Sequence, residues 1–155
     1  VQRKAKLDSE TLKVIAGHAI DCYRKHEATA AKKRHDRKRT IVKLLLENYR
    51  ALLVNDENAI YKITQAVGAD ICFIVNQFET IIGIYKKYCD RSTKKEDERR
   101  YRSLFLRYIA SEPKTVDEIA DGEFVDAHTI YRDIKNAVDH LTVLFYGIDG
   151  LVVNQ

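Results

Sequence analysis

Residues that break or kink helices are scarce in this chain. One proline and six glycines serve 155 residues, too few to punctuate many short strands and tight turns, so long helices are expected. Methionine is absent, the initiator included, as expected of a trimmed chain. Only three cysteines occur, Cys22, Cys72 and Cys89. They are odd in number, lack metal-ligand spacing and sit among apolar or aromatic residues, so they read as buried free thiols of a cytosolic protein. No apolar run approaches the roughly 18 residues of a membrane helix, and the polar start VQRKAKLDSE does not resemble a signal peptide. A cytoplasmic chain with no membrane partner is expected. Also missing are a glycine-rich phosphate loop, a nucleophile elbow and any metal-spaced cluster of His or Cys. His18 and His26 lie on one predicted helix beside Glu27 and read as ordinary helix positions. No enzymatic activity, metal or cofactor is expected.

What is present is an ordinary globular mixture, 45% hydrophobic and 32% charged, about one domain's worth. The net charge of +4 is unevenly spread. Residues 31–50 carry +6 and residues 91–110 carry +4, whereas residues 51–90 carry −2 and residues 111–155 carry −6. Two basic segments thus alternate with acidic ones, and their location matters more than the total.

Hydrophobic spacing predicts an all-α fold. Ser9 or Asp8 caps a first helix to about Ala30, with Leu12, Ile15, Ala16, Ala19, Ile20 and Tyr23 as its stripe. The run AAKKRHDRKR is either a solvated helix joining onto the next one or a basic connection. Ile41 to Leu53 gives a second helix, and Asn55 or Asp56 caps a third. Asp70 caps a long fourth, with Ile71, Ile74, Val75, Phe78, Ile81, Ile82 and Tyr85 facing inward; Gly83 within it marks close helix packing. A capping box from Thr93 to Glu96 opens a fifth helix, which ends before Pro113. The expected organisation is a helical N-terminal domain over residues 1–90 and a DNA-binding module over residues 91–155.

Residues 113–146 have the pattern of a helix-turn-helix. Thr115 and Glu118 form a capping box for a very short helix ending at Asp121-Gly122. Asp126 caps a longer one, whose inward face is Ile130, Ile134, Val138 and Leu141. Its outward face carries Ala127, His128, Tyr131, Arg132 and Lys135. Arg132 suits a guanine edge or a phosphate, while Thr129 and Tyr131 suit phosphates or a thymine methyl. Structural readings compete with these. Tyr131 can pack on the preceding helix, Arg132 can pair with Asp133, Asp139 or Glu118, and His128 can be plain surface.

The stretch TVDEIADGEFVDAHTIYRDIKNAVDHLTVLFYGIDGL resembles the C-terminus of the ArpU family of phage late-gene transcriptional activators, related to the RinA-type regulators. STKKEDERRYRSLF fits as well, and LLLENYRALLVNDENAIY and ETIIGIYKKYCDRS fit more weakly. The resemblance implies a sigma-region-4-like module that binds promoter DNA. Residues 115–120 match its supporting helix and residues 126–138 its recognition helix, with Thr129, Tyr131 and Arg132 in the motif. It further implies a regulator, an activator of phage or prophage late genes. Two places depart from the family pattern. Ala127 and His128 stand where basic residues are usual, and Glu123-Phe124 stands at the turn, where Phe124 is expected to swing inward.

The −6 balance of residues 111–155 opposes DNA binding by that module alone, because phosphate attraction supplies much of the affinity. Help is expected from the preceding helix, through Lys94, Lys95, Arg99 and Arg100 with Arg102 and Arg107, and from Lys32, Lys33, Arg34, Arg37 and Arg39. The latter run reads equally as a solvated face. Double-stranded DNA is the expected partner; the alternative is a module docking on RNA polymerase or a sigma factor without reading bases. The long amphipathic helices allow a homodimer. The apolar tail LTVLFYGIDGLVV either closes the core or offers a partner surface.

Overall fold

The computed structural model describes residues 8–68 and 70–147. All regular structure among them is helical: α1 Ser9–Leu53, α2 Glu57–Val67, α3 Ile71–Arg91, α4 Lys95–Leu104, α5 Val116–Glu123 and α6 Ala127–Tyr146. A π-helical turn, Phe105–Ile109, continues α4. No single helix among the described residues is long and apolar enough to cross a membrane.

Most helix starts follow from short polar side chains that take up otherwise unpaired N–H groups. The Thr11 N–H donates to Asp8 at 2.7 Å, that of Ala59 to Asp56 at 2.9 Å and that of Phe73 to Asp70 at 3.1 Å. Gly68 closes α2 at φ 67°, in the left-handed region, where a side chain is strained. The start of α4 departs from expectation. Its N-cap is Lys94, with no side-chain cap. Ser92 instead accepts from the Lys94 N–H at 3.1 Å and donates to Asp97 at 2.6 Å. A buried carboxylate one turn into the helix has displaced the Thr93 box.

Of the two readings left open for the run after Ala30, the helical one holds, and the first two helices are the single α1. Residues 31–40 are mostly alanine, lysine and arginine, with no proline or glycine, so helix propagates through them. The two halves of α1 differ in burial. Val42, Leu45, Leu46 and Leu52 enter the core, while every residue from Ser9 to Thr29 is exposed. Leu12 remains 50% exposed and Tyr23 66%.

The central element is α6, which packs against α1, α3, α4 and α5. Its Ile130, Ile134, Ala137, Val138 and Leu141 join one apolar cluster with Leu45, Ile63, Phe78, Tyr85, Leu104 and Ile119. The stripe expected on α3 is its packed face: Ile74, Phe78, Ile82, Tyr85 and Cys89 are buried, and Ile71, Val75 and Ile81 half-buried. Gly83 has a different position from that expected. It is exposed and a Cβ there would meet nothing within 4 Å, so no helix approaches it. The thiols also differ: Cys89 is buried, but Cys22 and Cys72 are exposed. Of the apolar tail, Leu141 and Thr142 are buried and Val143–Tyr146 half-buried; residues 148–155 lie outside the described residues.

Candidate nucleic-acid interface

Residues 115–146 form two helices joined by a tight turn. Thr115 accepts from the Glu118 N–H at 3.2 Å, and Glu118 accepts from the Thr115 N–H at 2.7 Å, completing the box. The bonds donated by the Thr115 N–H and hydroxyl hold the Glu118 carboxyl below its ordinary range. Val116, Ile119 and Ala120 bury one side of α5. The helix runs to Glu123, past Gly122, and Phe124 closes it at φ 55°. The Val125 N–H donates to the Ala120 carbonyl at 3.1 Å. Phe124 is 95% exposed, so it does not swing into the core. The left-handed backbone turns its side chain outward, and Val125 is the half-buried turn residue.

A phenylalanine in left-handed geometry carries a steric penalty that glycine avoids. Phe124→Gly is therefore expected to raise the free energy of unfolding by about 0.5–1 kcal/mol. Thermal or urea unfolding checks this, and a loss of stability would mean the ring makes contacts that its exposure denies.

Asp126 caps α6. The Thr129 N–H and hydroxyl both donate to its carboxylate at 2.9 Å, and the backbone bond holds that carboxyl low. Thr129 is thus committed to the cap, and the end of α6 is already served by an anion. Phosphate contacts must come from side chains. His128, Tyr131, Arg132 and Lys135 are exposed and share one face by their three- and four-residue spacing.

Three of the acidic side chains near that face are paired. Asp133, 3% exposed at its side chain, receives Arg99 Nε at 2.6 Å and lies 3.6 Å from Arg100 Nε. The bond to Asp133 raises the Arg99 pKa. Arg100 also reaches Asp97 at 2.8 Å. Asp139 receives Arg39 of α1, and Glu123 receives Arg102 of α4. Arg99, Arg100 and Arg39 therefore brace α6 from its two flanks. None of the three acids named as partners for Arg132 holds it; Arg132 and Lys135 form no ion pair among the described residues.

Along α6 the second half of α1 runs antiparallel: Lys38 stacks on Tyr146, Arg39 meets Asp139, and Lys43 shares a cleft with Lys135 and Tyr131. That cleft, about 310 Å³, is lined by Arg39, Lys43, Glu47, Arg107, Tyr131 and Lys135 among others. Glu47 stands 3.8 Å from Lys43. Lys43, Arg107 and Lys135, with the Asp139-bound Arg39, thus line a groove beside the outer face of α6 that also holds the Glu47 carboxylate. Lys43 was not legible as part of the site, because its membership depends on α1 lying along α6; its spacing of four from Arg39 was the sole signal.

Comparison with family models, with curated proteins and with solved structures finds no match for this chain.

The remaining basic residues are placed elsewhere. Lys32, Lys33, Arg34 and Arg37 are exposed on the part of α1 that passes the C-terminal end of α6. That end is about 20 Å along the helix axis from Tyr131. Lys94 and Lys95 are exposed at the start of α4, the opposite end from Arg102, which reaches α5. Among the described residues no group of His, Cys, Asp and Glu is placed to hold a metal ion.

Proposed function

We propose that the chain is a sequence-specific regulator of transcription that binds double-stranded DNA, with α6 as its reading helix. One observation carries the reading. The outer face of α6 keeps Arg132 and Lys135 unpaired, while Asp133, Asp139 and Glu123 are neutralised by arginines of α1 and α4. Part of the acidic balance of the last segment is therefore cancelled by packing, while Asp117 and Asp121 stay exposed on α5. Capping and ion pairs absorb Glu118, Asp126 and these three acids, and the cleft cations add positive charge at one border. On this reading Arg132 and His128 meet base edges, and Tyr131, Lys135, Lys43 and Arg107 meet phosphates. The ArpU-like sequence pattern extends the proposal to activation of phage or prophage late genes.

Selection of bound duplexes from a random pool tests the first part. A recurrent motif is expected. On the selected duplex, Lys135→Ala should weaken binding evenly across sequences and make the slope of log affinity against log salt shallower by about 0.9. A pool that yields no motif, with binding to RNA polymerase retained, would replace DNA reading by docking on that enzyme.

A further inference from the structure

The first half of α1 is the feature that the proposed function does not use. Residues 9–29 project from the body as bare helix, every one exposed. Most helical stability in proteins comes from packing an amphipathic face, and this segment leaves unpacked an apolar stripe of Leu12, Ile15, Ala19 and Tyr23. Apart from Ile15, which lies on a flank, the stripe has heptad form. Ala16, Tyr23 and Ala30 take one seam position, and Leu12, Ala19 and His26 take the other, alternating by four and three.

We propose that residues 12–30 pair with the same segment of a second copy, antiparallel, about a two-fold axis at the level of Asp21. In that register each seam layer sets a large side chain on a small one: Leu12 on Ala30, Tyr23 on Ala19, His26 on Ala16. The flanking positions agree. Lys13 of each copy faces Glu27 of the other, so two opposite-charge pairs form, and Ile20 meets its own counterpart on the same flank. On the other flank Cys22 faces Cys22. A parallel pair in register fails on each count. It stacks Tyr23 on Tyr23 and His26 on His26, leaves Lys13 and Glu27 without these partners, and lays the two runs of residues 32–39 side by side. The overlap is about 28 Å long and covers on the order of 1,000 Å² in total, at the low end for a specific interface. The dimer is therefore one that dissociates on dilution.

The test is sedimentation equilibrium of the intact chain without DNA, so its failure leaves the DNA reading standing. A reversible monomer–dimer equilibrium is expected. Lys13→Glu and Glu27→Lys each turn two attractive pairs into two repulsive ones and should weaken the dimer about tenfold; together they should restore it. Ala19→Glu, exposed in the single copy, should give a monomer of unchanged helicity. With Cys72→Ser in place, a short bis-maleimide should link Cys22 to Cys22. A monomer at every concentration overturns the proposal and hands the stripe to a different macromolecule. A dimer that ignores the charge exchange, or survives Ala19→Glu, overturns the antiparallel register.

Discussion

Asp133→Ala is expected to lower the free energy of unfolding by about 3 kcal/mol, the lower end of the cost of breaking a buried ion pair. The carboxylate is 2% exposed as a residue and sits on the flank of α6 that faces α4. Arg99 donates to it twice, at 2.6 and 3.5 Å. Arg100 Nε is buried, has no hydrogen-bond partner and lies 3.6 Å from Asp133 Oδ1. Removing the carboxylate leaves both guanidinium groups in a half-buried site without their common counterion. Arg100 keeps Asp97 at 2.8 Å, but Arg99 is left with no ion pair. The cost therefore arises from stranded charge more than from lost volume. Asp133→Asn separates the two, because the amide keeps the shape and one acceptor oxygen. It should cost less than alanine but more than 1 kcal/mol. Urea unfolding of the three proteins reads the series; if alanine itself costs under 1 kcal/mol, the brace is not holding α6 to α4. Should the alanine variant fail to fold, the asparagine variant carries the comparison.

That brace also shows which parts of the architecture can be read from sequence. Caps are local: Asp8, Asp56, Asp70, Thr115 and Asp126 each satisfy an N–H within three residues, so the sequence contains both partners side by side. The stripes of α3 and α6 are local too, since period alone identifies their buried faces. Ion-pair partners are not. Arg99 and Asp133 are 34 residues apart and Arg39 and Asp139 are 100 apart. Read singly, Arg39, Arg99 and Arg100 look like free cations for DNA, and Asp133 and Asp139 look like charges that oppose it. Only packing reveals that each group cancels the other. The Thr93 box fails for a related reason: Ser92 competes for the same turn through Asp97, a residue whose burial no local pattern announces. Phe124 misleads because a hydrophobic type at a turn suggests burial, whereas the left-handed backbone decides where it points. Cys22 and Cys72 miss in the same way, judged by the habit of their residue type. The continuity of α1 lay between two local readings, and absence of any breaker in residues 31–40 favours the helix.

Arg132→Ala is expected to weaken binding to the selected duplex by about 5- to 150-fold, the equivalent of the 1–3 kcal/mol of a bidentate base contact, and to relax preference at one base-pair position. The residue is exposed and forms no ion pair among the described residues, so its removal should change unfolding free energy by no more than about 0.5 kcal/mol. Loss of affinity can then be assigned to the interface. Lysine should not rescue it fully: an ammonium restores charge but not the planar fork that meets two acceptors of guanine. Lys135→Ala supplies the contrast, with an even loss across duplexes and a shallower salt dependence. Fluorescence anisotropy at fixed salt, on the selected duplex and its single-pair variants, distinguishes the two patterns. An Arg132→Ala loss that is uniform over all variants and is restored by lysine makes Arg132 a phosphate contact. No loss at all removes Arg132 from the reading role and leaves His128 as the one side chain of α6 assigned to base edges.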